Sequence, residues 1–259
     1  MRIISLLLLV LSLIACSKPS PNTLVIGTIA GPETELVEAA RAIAHKKYGL
    51  TIKIVEFSDY NLPNEALQDG SLDANVYQHL PYLQAAKKAH GYDLVAIGKT
   101  FVYPTGIYSK KYRSLKALPD NATIAIPNDP SNEARALILL EQAGLIGLSE
   151  DSHTASVKDI TNNPKKLRFK ELDAAQLPRV LSDVDAAVIN TNFALPAGLK
   201  PSQDALFLEN KDSPYANIVV IKRNSPKKEQ LKDFVKALNS EEVRKKAQEI
   251  FGDAAIPAW

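Results

Sequence analysis

The chain has 259 residues, of which 46% are hydrophobic and 23% are charged, with a formal net charge of +2. This composition is that of a folded globular protein, and the length is sufficient for two domains. The small net charge, without a basic stripe interleaved with aromatic residues, excludes a strong nucleic-acid-binding surface.

The N-terminus has the pattern of a bacterial signal peptide over residues 1–15. Arg2 supplies a positive charge, and residues 3–14 form an almost unbroken apolar run that is too short to span a bilayer with ease. The run ends in Leu-Ile-Ala-Cys, which resembles the lipobox of bacterial lipoproteins. We therefore expect cleavage before Cys16, lipid attachment to Cys16, and a proline-containing tether over residues 16–22.

Cys16 is the only cysteine of the chain, so the sequence allows no intramolecular disulfide. An incidental cysteine after a signal peptide, or a plain membrane anchor, is the alternative to lipidation. Several acyl chains on one residue would form a stable anchor, whereas a single chain would be marginal. The sequence thus predicts an exported protein that lipid holds at a membrane surface without spanning the membrane.

The first half of the mature chain alternates between strands and helices. Short apolar segments predict strands, and amphipathic segments that end in glycine predict helices. The predicted strands cover residues 24–26, 51–57, 73–76 and 94–109, and the predicted helices cover residues 33–48, 65–69 and 81–90. This order is typical of a parallel sheet with helices on its faces.

The same alternation begins again after an exposed basic segment at residues 110–116. Strands are predicted at residues 123–126, 167–172, 185–189 and 217–222, and helices at residues 131–143, 174–181, 227–238 and 241–251. No element is assigned to the polar residues 147–166. The last two helices have no lobe of their own, so we expect them to return to the first sheet.

An ungapped match between residues 72–78 and 184–190 indicates that the two halves are built alike. Only Asp, Ala and Val are identical, so a chance match is the alternative. If the match reflects structure, Gln78 and Asn190 lie at equivalent strand ends, where open α/β sheets bind ligands. The sequence therefore predicts two α/β lobes around a cleft, as in hinged binding proteins.

Catalysis has no positive support in the sequence. The patterns of serine hydrolases, P-loop nucleotidases and zinc proteases are missing, and Gly27 and Gly31 alone are weak evidence for a dinucleotide site. The histidines have no metal-ligand spacing and are His45, His79, His90 and His153. We therefore predict a protein that is not an enzyme and has neither a metal ion nor a cofactor.

Two segments carry residues suited to a binding site. Residues 73–83 place two tyrosines, an amide and a histidine at a predicted strand end, although such a stretch could also be an ordinary surface loop. Residues 129–135 open a helix that carries Asn132 and Arg135 on one face. An arginine beside free backbone N–H groups suits a carboxylate or phosphate, and the apolar neighbours argue against a merely solvated arginine.

Several further motifs follow the lipobox, and they extend in order over essentially the whole mature chain. They are V-E-F-S-D-Y from residue 55, D-A-N-V-Y-Q-H-L-P-Y-L from residue 73, Y-P-T-G-I-Y-S-K-K from residue 103, I-P-N-D-P-S-N-E-A-R-A-L from residue 126, A-V-I-N from residue 187, S-P-Y-A-N from residue 213 and the closing residues 254–259. Together they resemble the methionine-binding lipoproteins of the NlpA/MetQ family.

The resemblance implies an α/β periplasmic-binding-protein fold, type II-like, with the ligand cleft between its lobes. The first lobe would comprise residues 23–110 and 216–259, and the second lobe residues 111–215. The implied function is to bind methionine, in the L-form and as an open alternative also the D-form, and to deliver it to the permease and ATPase of an ABC importer. We expect a monomer that is anchored to the cell envelope through Cys16 and faces the periplasm or the exterior.

The resemblance also assigns site residues. Arg135 would pair with the ligand carboxylate, and Asn190 and Asn217 would hold the amino and carboxyl groups. Asn192 lies in the same run, but the match with Gln78 favours Asn190. The full predicted ligand-binding set is Tyr77, Gln78, His79, Tyr82, Phe101, Tyr103, Asn132, Arg135, Asn190 and Asn217.

Two alternatives to methionine transport remain open at this point. One is a receptor for another small amino acid or for a methionine-containing peptide. The other is a surface lipoprotein that uses the same fold for a purpose other than transport. An aromatic, uncharged slot favours methionine, because a thioether sulfur gains about 0.3–1.5 kcal/mol on contact with an aromatic ring.

Overall fold

The computed structural model describes residues 22–149, 154–210 and 213–259. The predicted signal peptide, the lipidation of Cys16 and the position of His153 lie outside the described residues and stay predictions. Within these residues, none of the helices combines the length and the apolar character that crossing a bilayer requires.

The strands of the described part follow the predicted alternation, with several additions. In chain order they are β1 (Thr23–Ile29), β2 (Thr51–Phe57), β3 (Ala74–His79), β4 (Leu94–Val102), β5 (Gly106–Tyr108), β6 (Thr123–Pro127), β7 (Gly147–Leu148), β8 (Ile160–Asn162), β9 (Arg168–Leu172), β10 (Ala186–Ile189), β11 (Phe207–Leu208), β12 (Ala216–Lys222) and β13 (Ile256–Pro257). The short pair β7 and β8 lies in the segment to which the sequence assigned no element.

The helices begin and end where the sequence carries helix signals. They are α1 (Pro32–Tyr48), α2 (Pro63–Asp69), α3 (Leu80–His90), α4 (Pro130–Gln142), α5 (Leu177–Val180), α6 (Thr191–Ala194), α7 (Pro201–Asp204), α8 (Lys228–Leu238) and α9 (Glu241–Phe251). Proline lies in the first turn of α1, α2, α3 and α4, where its missing N–H costs nothing. Gly49 and Gly91 end α1 and α3 in the left-handed conformation, as the sequence predicts.

The first lobe is built on a six-stranded sheet in the order β13-β4-β12-β3-β1-β2. β1 pairs in parallel with β2 and β3, whereas β12 lies antiparallel between β3 and β4. Helices α1, α8 and α9 pack on this sheet through one apolar core. The prediction that the last two helices return to the first sheet is confirmed.

The second lobe is built on a five-stranded sheet in the order β11-β5-β10-β6-β9. Because β5 pairs with β10, the chain enters this lobe before residue 106, whereas the predicted boundary at residue 110 placed β5 in the first lobe. Pro104 separates β4 from β5 and cannot donate to a strand ladder, which allows the chain to change sheets there. The apolar pattern continues across this point, so the sequence did not reveal the crossing.

One aspartate in each lobe holds the beginning of a parallel strand in its sheet, β1 in the first lobe and β6 in the second. Asp73 Oδ2 accepts the backbone N–H of Val25 at 2.8 Å, and Asp185 Oδ2 accepts that of Thr123 at 2.8 Å. The backbone N–H of each aspartate donates in return to the carbonyl of the same strand residue. These two residues occupy the same position in the ungapped match, which therefore reflects an equivalent structural role.

Replacing Asp73 with alanine is expected to lower the free energy of unfolding by about 2–3 kcal/mol, since a hydrogen bond to a charged group is lost. Asp73 also accepts Lys227 Nζ at 2.8 Å. Asp93→Ala is the matched control, because its ion pair with Arg223 is exposed and contributes about 0–1 kcal/mol. Urea unfolding of both variants measures the difference, and equal losses would contradict the role of Asp73.

Candidate ligand-binding site

A cavity lies between the two lobes, at the carboxyl ends of β3 and β10. The space between its lining residues amounts to roughly 350 Å³, counting the part that is open to solvent. Its walls carry nine of the ten predicted binding residues, from both lobes. The lining residues are Tyr60, Tyr77, Gln78, His79, Tyr82, Tyr103, Asn132, Arg135, Asn190, Thr191, Asn192 and Asn217.

Phe101 does not line the cavity, contrary to the expectation. Its side chain is 1% exposed and belongs to the core of the first lobe. The ring packs against Trp259, with centroids 4.9 Å apart, and against Tyr103, with centroids 6.0 Å apart. Phe101 and Tyr103 share one face of the chain, but only Tyr103 reaches far enough along it to contact the cavity.

Gln78 lines the cavity, but its amide faces a polar network within the first lobe. Its Nε2 donates to Asn64 Oδ1 at 2.6 Å and to Asn75 Oδ1 at 2.9 Å, while its Oε1 accepts Asn64 Nδ2 at 2.9 Å. The amide is therefore used to hold β3 against α2. The predicted equivalence with Asn190 applies to the position along the strand and not to the hydrogen bonding.

His79 connects the first helix turn after β3 with the second lobe. Its Nδ1 accepts the backbone N–H of Tyr82 at 3.2 Å and so caps α3. An accepting Nδ1 assigns the proton of the neutral ring to Nε2, which lies 3.3 Å from Asn132 Oδ1 and donates to it. No cluster of three or more His, Cys, Asp or Glu side chains in the described residues is arranged to hold a metal ion.

Tyrosine rings form the apolar part of the cavity wall. Tyr60 lies 5.8 Å from Tyr77 and 6.0 Å from Tyr82 between ring centroids, and it contacts Phe193 of the second lobe at 4.9 Å. Burial raises the pKa of Tyr60 and Tyr77 well above its usual value, so both phenols stay neutral. Tyr60 was not among the predicted site residues, although it lies in the motif from residue 55.

Arg135 lies at the cavity with its guanidinium partly engaged by the protein. Its Nε donates to Glu209 Oε1 at 2.9 Å, and its Nη2 donates to Glu209 Oε2 and, at 3.0 Å, to the carbonyl of Tyr103. The guanidinium also lies 4.4 Å from the centroid of the Tyr215 ring. Glu209 fixes the orientation of the arginine, and no sequence feature indicated this partner.

Glu33 lies buried behind the cavity wall, with 2% of its surface exposed. Its Oε1 accepts Asn217 Nδ2 at 3.0 Å, and its Oε2 accepts Asn192 Nδ2 at 3.2 Å. Burial raises the pKa of Glu33 to about 7, although these two hydrogen bonds partly oppose the rise. The sequence does not distinguish this residue, because a glutamate in the first turn of a helix is ordinary.

Asp129 has a similar position behind the second lobe's wall. It caps α4 by accepting the backbone N–H of Asn132 at 2.9 Å, and it also accepts Asn132 Nδ2 at 2.9 Å. Asn132 Oδ1 is thereby turned towards Asn190 Nδ2, which donates to it at 2.9 Å. Burial raises the pKa of Asp129, and the hydrogen bonds from Asn132 partly oppose this effect.

The two buried carboxylates determine which end of each wall amide faces the cavity. The amide NH₂ groups of Asn192 and Asn217 donate to Glu33 behind the wall, and that of Asn190 donates to Asn132, which Asp129 orients. In the described residues, the carbonyl oxygens of Asn190 and Asn192 are buried without a hydrogen-bond partner. A buried acceptor without a donor is costly, so these oxygens indicate a ligand that brings N–H or O–H groups.

Comparison with known proteins places the chain among bacterial lipoproteins. The profile of the NlpA lipoprotein family matches residues 24–259. The probable D-methionine-binding lipoprotein MetQ of Vibrio cholerae is 48% identical, and the match covers 92% of this chain and 89% of that protein.

Solved structures are similar over the same range. A nutrient-binding protein from Burkholderia cenocepacia, bound to methionine, is 48% identical with a TM-score of 0.89, and the match covers 91% of this chain and 100% of that one. A periplasmic substrate-binding protein of an ABC transporter from Coxiella burnetii is 57% identical with a TM-score of 0.86, again over 91% of this chain and 100% of that one. The predicted two-lobed α/β fold is confirmed, and the chain belongs to the NlpA lipoprotein family.

Proposed function

We propose that this protein binds methionine between its two lobes and delivers it to the permease and ATPase of an ABC importer. The relatives support this proposal, since they include a probable D-methionine-binding lipoprotein, a protein solved with methionine and a substrate-binding protein of an ABC transporter. The protein acts as a receptor and not as an enzyme.

The polarity of the cavity carries the proposal. Amide oxygens of Asn190, Asn192 and Asn217 offer acceptors for the three N–H groups of an ammonium, and Arg135 Nη1 offers a donor for a carboxylate. Acceptors and a guanidinium in one small cavity match the two charged groups of an amino acid. The ligand carboxylate approaches the arginine on the side that Glu209 leaves open.

The aromatic side of the cavity suits the side chain of methionine. Tyr60, Tyr77 and Tyr82 form an uncharged wall, on which a thioether gains about 0.3–1.5 kcal/mol per ring contact. A charged side chain would lose its hydration there without gaining an ion pair. The same wall would also accept norleucine, which has a methylene in place of the sulfur.

Native mass spectrometry of the freshly purified chain without its signal peptide tests the ligand assignment. We expect a bound mass of methionine, and a rise in the melting temperature of the stripped protein with millimolar methionine. Norleucine, D-methionine and methionine dipeptides serve as competitors. Their affinities show how binding depends on the side chain, the stereochemistry and the length of the ligand. No bound methionine and no shift in melting temperature would contradict the assignment.

The proposed place of action is the cell envelope, where lipid on Cys16 anchors a monomer facing the periplasm or the exterior. The named lipoprotein relatives support this anchorage. Growth with a labelled fatty acid is expected to label the wild type and not Cys16→Ala. Equal labelling of the two proteins would contradict a lipid anchor on Cys16.

A further inference from the structure

Glu33 is a buried carboxylate without a cationic partner. It makes no ion pair with any described residue, and its hydrogen bonds go to the amides of Asn192 and Asn217. A buried charge is costly unless an opposite charge compensates it. The two amides separate Glu33 from the cavity, so a cation bound in the cavity would lie one amide away from the carboxylate.

We propose that Glu33 is the positioning residue that makes the cavity select a ligand ammonium, because it holds Asn192 and Asn217 with their carbonyl oxygens towards the ligand. This inference rests on the proposed function, since it takes the ligand to be an amino acid. It assigns Glu33 a role through other residues and not a contact with the ligand.

An ionised carboxylate gives both amides this orientation. A carboxylate accepts and never donates, so both amides must present their NH₂ groups to it. A glutamine or a protonated carboxyl group has a donor of its own, which turns one amide oxygen away from the cavity. The cavity then offers an N–H group where the ammonium requires an acceptor.

The burial of Glu33 also links ligand binding to the release of a proton. Besides the two amides, the phenols of Tyr60 and Tyr103 lie close enough to Glu33 for its charge to act on them, and both stay neutral because burial raises their pKa. Burial raises the pKa of Glu33 to about 7, so a part of the ligand-free molecules carries this proton at pH 7. A bound ammonium favours the ionised form, so we expect proton release on binding.

Isothermal titration calorimetry tests the inference with two ligands and three proteins. The ligands are methionine and its 2-hydroxy analogue, in which a hydroxyl replaces the ammonium. The proteins are the wild type, Glu33→Gln and the matched control Glu35→Gln, whose side chain is exposed on the same helix turn. Each titration is run at pH 7 in buffers of different ionisation enthalpy, which gives the number of protons released.

For Glu33→Gln we expect methionine affinity to fall by about 10–100-fold, the effect of one charge-assisted hydrogen bond. Affinity for the hydroxy analogue should change by less than about 3-fold, because a hydroxyl can both donate and accept. The wild type and Glu35→Gln should release protons on binding methionine, and Glu33→Gln should release fewer.

The inference is overturned if Glu33→Gln binds methionine like the wild type, or loses affinity for both ligands equally. It is equally overturned if proton release is the same in the two proteins. Should Glu33→Gln fail to fold, the wild type still decides: buffer-independent binding heats would overturn the inference, and proton release would support it. A wild type that binds no methionine contradicts the proposed function, and the inference falls with it.

Discussion

Replacing Arg135 with alanine is expected to weaken methionine binding by about 2–5 kcal/mol, the cost of removing one partner of a buried charge pair. The variant loses the donor for the ligand carboxylate. It also leaves Glu209, whose side chain is 9% exposed, as an unpaired negative charge that repels the same carboxylate. Titration calorimetry with methionine measures the loss.

The double variant Arg135→Ala/Glu209→Gln separates these two effects. Removing the unpaired charge of Glu209 should restore most of the thermal stability that Arg135→Ala loses. Methionine affinity should stay low, because the donor for the ligand carboxylate is still missing. If the double variant bound methionine like the wild type, Arg135 would serve only to neutralise Glu209, and its assignment to the ligand would be wrong.

Between pH 5 and pH 8, the free energy of unfolding of the ligand-free wild type is expected to fall by about 2–3 kcal/mol more than that of Glu33→Gln. Burial raises the pKa of Glu33 from 4.5 to about 7, and each pKa unit corresponds to about 1.4 kcal/mol. The folded state holds this proton more tightly than the unfolded state. The resulting stabilisation is complete below pH 4.5 and is lost as the pH rises to about 7.

Urea unfolding of the ligand-free proteins at pH 5, 6, 7 and 8 measures this difference. Glu35→Gln should follow the wild type, since Glu35 is exposed. Asp129 and Glu133 also have raised pKa values, but they are present in all three proteins and cancel in the comparison. Parallel stability curves for the wild type and Glu33→Gln would show that the Glu33 carboxyl is not buried as the structure describes.

Local patterns predicted the long elements of the fold, because their apolar spacing and end signals lie within the element. α1 and α8 each show a helical stripe, with left-handed Gly49 closing the first. The pairing of strands is a long-range property and could not be predicted in the same way. The place of β12 between β3 and β4, and the change of sheet before β5, depend on contacts between residues that are far apart in the sequence.

The candidate site could be predicted where a residue type has few other uses. Arg135 on an apolar helix and Asn190 after a buried strand are unusual enough to indicate binding. Glu33 and Glu209 do not indicate binding in the sequence, because acidic residues in helix turns and loops are common on protein surfaces. Their importance comes from burial against the wall amides and Arg135, which only the folded chain creates.

The insertion of β12 between β3 and β4 has a consequence for the order of folding. The strands of the second lobe lie between residues 106 and 208, so its sheet needs no strand from the C-terminal segment. The first sheet is complete only when residues 216–222 pair with β3 and β4. This long-range pairing is expected to set the overall folding rate. Until β12 pairs, the edges of β3 and β4 stay exposed, and Asn217 on β12 is not in place to bind a ligand.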